Sequence, residues 1–253
     1  MKTSRASTVL GLMVAGSIHL SSSYSPYPPA LGKINFLLGK IGEVRVQQTQ
    51  KDAWIPATLQ MPVREGDKIQ TLTESRCEIK LSDGSLIRIG EKSLFDFEAS
   101  RVAKNDRQFH AAVSYGKVWA NILSLFGSKE KFEIKSPTAV CAVRGTIYSV
   151  AADSTTRVAV YDGQVDVGPS AGLRDRLQQQ APRPGAPQQV PGPTRVPGPY
   201  QVTLEQWVRL VEGYQMEIRN DGRYAQTPLN TALQQQDDWV QWNLARDREA
   251  GRY

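Results

Sequence analysis

Residues 131–150 have the sequence KFEIKSPTAVCAVRGTIYSV, and this stretch decides the fold. Apolar and charged residues alternate over its first five positions, which is typical of a half-buried strand, and Pro137 then ends the strand. An apolar run follows up to Val143, and a second β pattern begins after Arg144 and Gly145. Glycine weakens a strand interior and arginine resists burial. We therefore expect a bulge or a close backbone approach at Gly145, with the Arg144 guanidinium bonded to nearby carbonyls or to a carboxylate.

This stretch resembles the signature of the FecR domain family. The family pattern of Ser/Thr-Pro, small apolar residues, Val-Arg-Gly-Thr and an aromatic residue includes here Pro137, Val143, Arg144, Gly145 and Thr146. Five shorter blocks that are similar to the family follow the family's order, and they begin at Gly42, Gly66, Asp83, Gly116 and Asp162. The resemblance covers about residues 40–168. It implies that Arg144 and Thr146 hold the fold; contact with a ligand is the alternative role.

Short segments with strand periodicity continue from Ile34 to Val167, without a helical period of useful length between them. Many short strands at this spacing predict an all-β domain, built either as a sandwich or as a solenoid-like wrap. Periodicity does not choose between these two architectures, and the FecR resemblance favours the wrapped one.

A hairpin is predicted at Asp83 and Gly84. A two-residue loop would place Ile79 opposite Arg88, whereas a three-residue loop that includes the preceding serine places Ile79 opposite Ile87. The longer loop keeps the apolar side chains on one face, and glycine supplies the left-handed residue that this loop needs.

A second hairpin is predicted at Asp162 and Gly163. An Asp-Gly pair between alternating apolar residues indicates a two-residue type I′ turn. In that register Val160 lies opposite Val165.

The two cysteines that follow the N-terminal region, Cys77 and Cys141, both lie in apolar β segments. In an oxidising compartment they could form a disulfide that closes a long loop. The alternative is two buried, unpaired thiols that pack as small apolar groups. Sequence rules do not give their separation, so both alternatives stay open.

Residues 1–23 have the features of a secretory signal peptide. Lys2 and Arg5 precede an apolar segment from Val9 to Ile18, and small residues follow at positions 21–23. An uncleaved N-terminal anchor is the alternative. We expect an exported protein, periplasmic or secreted, with no membrane span after cleavage. Cleavage removes Lys2 and Arg5 and so lowers the formal net charge from +6 to +4.

The rest of the chain divides into four segments. A Pro-rich lead-in covers residues 24–33, and the FecR-like β domain covers residues 34–168. Residues 169–199 are rich in Pro and Gln and predict an extended linker, which could also be an insertion within one unit. Residues 200–253 predict a β-hairpin and an amphipathic helix that begins at Thr227 and docks onto the β domain or the hairpin.

Residue types that carry catalysis or bind metals are sparse. His19 leaves with the signal peptide, so His110 is the one histidine that remains, and the sequence has no Cys-x-x-Cys or His-x-x-x-His spacing. Hydrolase nucleophile motifs and Gly-rich phosphate loops are also absent. We predict a protein that is not an enzyme and has no cofactor and no metal site. The modest positive charge, without a basic-aromatic motif, argues against nucleic acid as a partner.

Two functions remain. The FecR resemblance implies sensing and signal regulation, typified by periplasmic regulators of iron-citrate uptake that carry a cytoplasmic anti-sigma segment and a membrane span. Only a signal peptide is predicted before the domain here, so direct sigma-factor control is not carried over. We expect a cell-envelope module that binds a partner protein, a cell-wall polymer or a small ligand. The alternative is a structural scaffold without a specific ligand, and nothing in the sequence indicates an oligomeric state.

Overall fold

A computed structural model describes residues 28–98, 100–103, 106–124, 131–180, 202–204 and 206–251. These residues are mostly strands with few helices, which confirms the predicted all-β class. The predicted signal peptide lies outside the described residues, and its export function stays a prediction. Within the described part of the chain, each helix is too short or too polar to span a membrane.

The described residues contain nineteen strands and three helices. The strands are β1 (Gly32–Leu38), β2 (Val44–Gln47), β3 (Trp54–Pro56), β4 (Pro62–Val63), β5 (Lys68–Thr71), β6 (Arg76–Leu81), β7 (Leu86–Ile89), β8 (Ser93–Phe97), β9 (Arg101–Ala103), β10 (Asp106–Ile122), β11 (Lys131–Lys135), β12 (Ala139–Val143), β13 (Thr146–Ala152), β14 (Thr155–Asp162), β15 (Gln164–Pro169), β16 (Val202–Thr203), β17 (Val208–Val211), β18 (Tyr214–Arg219) and β19 (Arg223–Pro228). The helices are α1 (Ala171–Gln180), α2 (Thr231–Gln236) and α3 (Asp238–Glu249).

The strands form two sheets that share the long strand β10. Sheet A has the order β4-β1-β6-β7-β10-β13-β14-β18-β19-β16. Sheet B has the order β3-β2-β5-β8-β10-β11-β12-β15-β17, with β9 beside β10. β10 passes from sheet B to sheet A at Gly116, where φ is +91°. The chain therefore winds between two sheets whose inner faces enclose one apolar core.

The central stretch folds as its periodicity predicts, into β11, β12 and β13. The chain crosses from sheet B to sheet A at Gly145, where φ is +68° and a Cβ atom would lie 2.5 Å from Ser124 Cβ. This confirms the close backbone approach. The Arg144 side chain is exposed at this corner and forms no hydrogen bond or ion pair with a described residue, so its expected contacts with carbonyls or a carboxylate stay a prediction.

The hairpin at Asp83 and Gly84 has the predicted register. Ile79 lies opposite Ile87, and Cys77 lies opposite Ile89. The Leu81 N–H donates to the Ser85 carbonyl at 2.9 Å, which leaves a three-residue loop. Gly84 has a φ of +92°, as such a loop requires.

The predicted hairpin at Asp162 and Gly163 is wrong. β14 pairs with β13 and β18 in sheet A, whereas β15 pairs with β12 and β17 in sheet B. Gly163, with φ of +80°, is therefore a corner between sheets. Val160 and Val165 are both buried in the common core. Alternation alone could not separate a hairpin from a corner, because both arrangements bury the same valines.

Cys77 and Cys141 are free and completely buried. Cys77 lies in β6 of sheet A, and Cys141 lies in β12 of sheet B. Of the two alternatives, the structure has two unpaired thiols and not the disulfide. Burial raises the pKa of Cys77 well above its usual range and that of Cys141 to about 12, so both thiols stay protonated.

The chain after residue 169 differs from the expected extended linker. Residues 171–180 form helix α1, whose Leu173 is buried in the core and whose Leu177 packs against it. A helix is allowed here because the prolines begin only at Pro182. Pro182 and the other prolines of the predicted linker lie outside the described residues.

The C-terminal strands continue the two sheets: β18 pairs with β14, and β17 pairs with β15. The predicted helix start at Thr227 and Pro228 is wrong, because these residues end strand β19 opposite β18. Helix α2 begins after Asn230, whose side chain caps it, and α3 follows after Asp237, which caps α3. The expected docking of the C-terminal helix onto the β domain is confirmed, since α3 packs on the outer face of sheet A.

Candidate functional site

Helix α3 covers part of the outer face of sheet A through an apolar cluster that is separate from the main core. The cluster consists of Trp119, Ile147, Ala159, Tyr161, Trp239 and Val240. The rings of Trp119 and Tyr161 lie 4.3 Å apart between centroids. The helix therefore buries its tryptophan-rich side against the sheet.

A buried ion network holds the C-terminal half of α3 to sheet A. The Arg88 guanidinium contacts Glu78 Oε2 at 2.6 Å and Asp247 Oδ1 at 2.8 Å. Arg246 also pairs with Glu78, at 3.1 Å. Although burial by itself raises the pKa of Glu78, hydrogen bonds from Arg246, Arg88 and Asn35 outweigh burial and lower that pKa to about 2. Glu78 is therefore ionised at neutral pH.

Asp247 joins this network to the aromatic cluster. Trp119 Nε1 donates a hydrogen bond of 2.9 Å to Asp247 Oδ2. Trp119, Arg88 and Asp247 are all completely buried. Buried charges of opposite sign need pairing, because each loses its hydration. Arg88 Nη2 nevertheless has no hydrogen-bond acceptor among the described residues. These contacts therefore fix the C-terminal end of α3 on sheet A.

Cation–aromatic contacts surround the network. The Arg246 guanidinium lies 4.2 Å from the centroid of the Phe36 ring, and the Arg76 guanidinium lies 4.9 Å from that of Trp242. Arg76 also pairs with Asp238 at the start of α3. Both ends of the helix are thus attached to sheet A.

A groove lies beside α3, between the helices and the part of sheet A that the helix leaves uncovered. Its volume is about 890 Å³, which is in the range of ligand-binding sites. Four small residues of β13 and β14 line it: Ser149, Ala151, Ala152 and Ala159. Larger side chains from the sheet and the helices also line it, among them Tyr115, Lys117, Arg157, Glu217, Gln234, Asp237 and Trp239.

Two polar features of the groove stand out. The Lys117 ammonium lies 5.6 Å from the centroid of the Trp239 ring. Trp239 is only 5% exposed, and its Nε1 has no hydrogen-bond acceptor among the described residues. A buried indole N–H normally finds an acceptor, but this nitrogen is closed to solvent, so it is not a donor that a ligand in the groove can reach.

A smaller cavity of about 390 Å³ lies on sheet B between Ala142, Asp166, Trp207 and Arg209. Arg209 Nε donates to Asp166 Oδ1 at 3.0 Å. Trp207 packs against Gly168, where a Cβ atom would lie 2.7 Å from the indole ring. This cavity contains no buried polar atom without a partner among the described residues.

The family-signature residues line neither of these two cavities. Val143 is buried, and the buried Thr146 hydroxyl donates to the Gln164 carbonyl at 2.8 Å. The Pro137 carbonyl accepts a hydrogen bond of 2.8 Å from Ser170. That these residues hold the fold stays a prediction.

The turn residues also have local roles. Asp83 Oδ1 accepts the Ser85 N–H at 2.8 Å within its own hairpin. Asp162 ends β14, and a Cβ atom at Gly163 would lie 2.9 Å from the Gly145 carbonyl oxygen. The two glycine corners of the fold therefore lie against each other.

Sequence reasoning missed the ion network and the groove. The available signal was charge inside apolar strands: Glu78 interrupts β6 and Arg88 interrupts β7. Asp247 gave no such signal, because a carboxylate on a C-terminal helix normally faces solvent. Among the described residues, no three His, Cys, Asp or Glu side chains are placed to hold a metal ion.

Comparisons with known proteins identify the domain. The family model described as FecR protein matches residues 67–166. Two crystal structures of a proposed anti-sigma factor from Parabacteroides distasonis ATCC 8503 each match at 15% identity and a TM-score of 0.44, over 64% of this chain. The chain spans 60% of the length of those proteins, and no curated protein matches it. The matched segment contains the central stretch and its glycine corners, so the resemblance to the FecR domain family is confirmed over residues 67–166.

Proposed function

We propose that this chain is a non-catalytic sensing module of the cell envelope, which binds its ligand in the groove beside α3. The match of residues 67–166 to the FecR family model supports a role in signal regulation. The groove supplies a binding site of suitable size. In this proposal the protein is exported by the N-terminal segment and acts in the periplasm or outside the cell.

The observation that carries the proposal is that two parts of the chain build the groove. Ser149 and Ala151 belong to the FecR domain, whereas Gln234 and Trp239 belong to the C-terminal helices. A bound molecule contacts both parts at once. Binding therefore changes the free energy of docking of α2 and the start of α3 onto the sheet. A sensing module needs such a coupling between ligand binding and the position of its helices.

The test compares the unmodified protein with a variant whose groove is filled. Ala151→Trp places an indole in the groove, and Ala112→Trp places the same side chain on sheet B, away from the groove. Each protein is immobilised and incubated with fractionated envelope extract, and retained molecules are measured over a concentration series. We expect saturable retention by the unmodified protein and by Ala112→Trp, and its loss in Ala151→Trp.

Equal retention by all three proteins would contradict the proposal. Concentration-dependent self-association in sedimentation experiments, without saturable binding of another molecule, would instead support the structural scaffold. Thermal unfolding of each variant, followed by circular dichroism, shows whether the substituted chains are folded.

A further inference from the structure

We infer that β17, the last strand of sheet B, binds an extended segment of a partner protein, which adds to the sheet as a further strand. The bound segment carries an acidic side chain between two apolar side chains at alternate positions. This surface lies on sheet B, whereas the groove beside α3 lies on sheet A. The inference therefore does not rest on the ligand of the groove.

Strand β17 has a neighbour on one side only within the described part of the chain. Its four residues lie opposite residues 164–167 of β15. The Glu212 N–H donates to the Gly163 carbonyl at 3.0 Å. Bonded and non-bonded pairs alternate along an antiparallel ladder, so Arg209 and Val211 form non-bonded pairs with β15. Their N–H and C=O groups therefore point away from β15, toward the position of another strand.

The other strands at the ends of the two sheets are poor sites for strand addition. In the described part of the chain, β4 and β16 have two residues each, and β3 has three, one of which is Pro56. Short edge strands and prolines commonly protect a sheet from unwanted pairing. Strand β17 has four residues and no proline, and Val211 is 42% exposed. It is therefore the end best suited to accept a strand.

Three exposed side chains at β17 define the chemistry of the partner. Arg209 and Val211 alternate with the buried Leu210 and so lie on the outer face of sheet B. Trp207 lies on the same face, since it lines one cavity with Arg209. Side chains of an added strand lie directly opposite these residues, where apolar pairs and opposite charges are favourable. The partner therefore has an acidic residue opposite Arg209 and apolar residues on either side of it.

The cavity of about 390 Å³ on sheet B lies along the same row of side chains. Ala142, Asp166 and Arg209 lie opposite one another on β12, β15 and β17, and Trp207 lines the cavity with them. A side chain of the added strand can enter this cavity beside the Trp207 ring. In strand addition, main-chain hydrogen bonds supply affinity and such side-chain pockets supply specificity.

Arg209 argues against a second copy of this chain as the partner. When two β17 strands pair in antiparallel through the main-chain groups of Arg209, the two arginines lie directly opposite or diagonal to each other, where like charges are unfavourable. Although Arg209 Nε donates to Asp166 Oδ1 at 3.0 Å, 61% of the arginine side chain is exposed. An acidic side chain of a partner can therefore still reach it. The positive net charge of the chain also favours an acidic partner over a second copy.

The test titrates the full, isotope-labelled chain with a short peptide and follows the amide signals by NMR. The peptide is Thr-Val-Thr-Glu-Thr-Val-Thr with blocked ends, which places Val, Glu and Val on one face in either chain direction. We expect saturable shifts and slower amide exchange at Arg209 and Val211, because their N–H groups become bonded. A peptide with lysine in place of the glutamate should bind about fivefold more weakly, since it loses the charge pair with Arg209.

Two variants at one position isolate the main-chain contact. Val211→Pro removes the outward N–H and breaks no hydrogen bond to β15, because this N–H points away from that strand. Val211→Thr keeps the N–H and the branched side chain. We expect Val211→Pro to weaken binding of the glutamate peptide about tenfold and Val211→Thr to stay within about twofold.

Equal binding by Val211→Pro and Val211→Thr would overturn the inference, and so would equal binding of the two peptides. Absence of peptide binding would overturn it too. Self-association that Val211→Pro abolishes would overturn it in favour of a second copy.

If Val211→Pro does not fold, amide exchange in the unmodified protein decides, and exchange at Arg209 and Val211 that the peptide leaves unchanged contradicts strand addition. Ala151→Trp fills the groove on sheet A and should bind the peptide as the unmodified protein does. The groove and the edge of sheet B are therefore tested independently.

Discussion

The Arg88 guanidinium and the Asp247 carboxylate meet at 2.8 Å, and neither side chain is exposed to solvent. One belongs to a strand in the middle of sheet A and the other to the last helix of the chain. Both charges have lost their hydration. Detachment of the helix therefore costs free energy, because it leaves a buried charge without its partner. This ion pair therefore fixes the position of α3 on the folded β domain.

Removing one partner of this pair should be strongly destabilising. We expect Asp247→Ala to lower the free energy of unfolding by about 3 kcal/mol, because Arg88 and the Trp119 N–H lose a buried acceptor. Urea denaturation at pH 7 measures the change. Glu249→Ala on the same helix is exposed and should cost less than about 0.5 kcal/mol. Similar losses for both variants would contradict the role of the network.

The corner at Gly145 should not tolerate a branched side chain. Its φ of +68° disfavours other residues, and a Cβ atom would lie 2.5 Å from Ser124 Cβ. We expect Gly145→Val to lower the midpoint of thermal unfolding with a cost above about 2 kcal/mol. Gly172→Ala serves as the control, since nothing lies within 4 Å of its Cβ position and it stands in helix α1. An unchanged midpoint for Gly145→Val would refute the close approach.

The ionised state of Glu78 should make stability depend on pH. Its pKa in the folded protein is about 2, below the ordinary value of 4.5. The folded state therefore binds fewer protons, so the stabilisation is complete above about pH 4.5 and is lost as the pH falls toward 2. Urea denaturation between pH 6 and pH 2 should show this loss, on the order of 3 kcal/mol, and Glu78→Gln should remove it. Parallel pH profiles for the two proteins would argue against the ion network.

The buried thiols should be unreactive in the folded protein. Cys77 and Cys141 are completely buried, and burial raises both pKa values, so little thiolate is present at neutral pH. We expect a thiol reagent to label neither cysteine within the time that labels both in urea. Peptide mass spectrometry without reductant gives an independent check. Detection of a Cys77 peptide linked to a Cys141 peptide would show that the disulfide forms and would contradict the prediction.

Local rules predicted the parts of the fold that depend on neighbouring residues. The register of the hairpin at Gly84 and the close backbone approach at Gly145 both follow from side-chain alternation and from the backbone freedom of glycine. The same rules were wrong at Gly163, because the chain there continues into the other sheet and still buries the same valines. Distinguishing these outcomes requires knowledge of which distant strands pair.

The candidate site depends almost entirely on such distant pairing. Glu78, Arg88 and Asp247 meet only after the C-terminal helix has docked, and each alone resembles a solvated charge. Lys117 and Trp239 line one groove although they lie far apart in the sequence. Periodicity describes one element at a time, so it could not have located this groove.

Strand β10 serves both sheets and turns from one into the other at Gly116, which itself lines the groove. Tyr115 and Lys117 stand on either side of this bend. The two sheets therefore cannot rotate against each other without moving these side chains. A displacement of sheet B that bends β10 at Gly116 therefore also moves two residues that line the groove on sheet A.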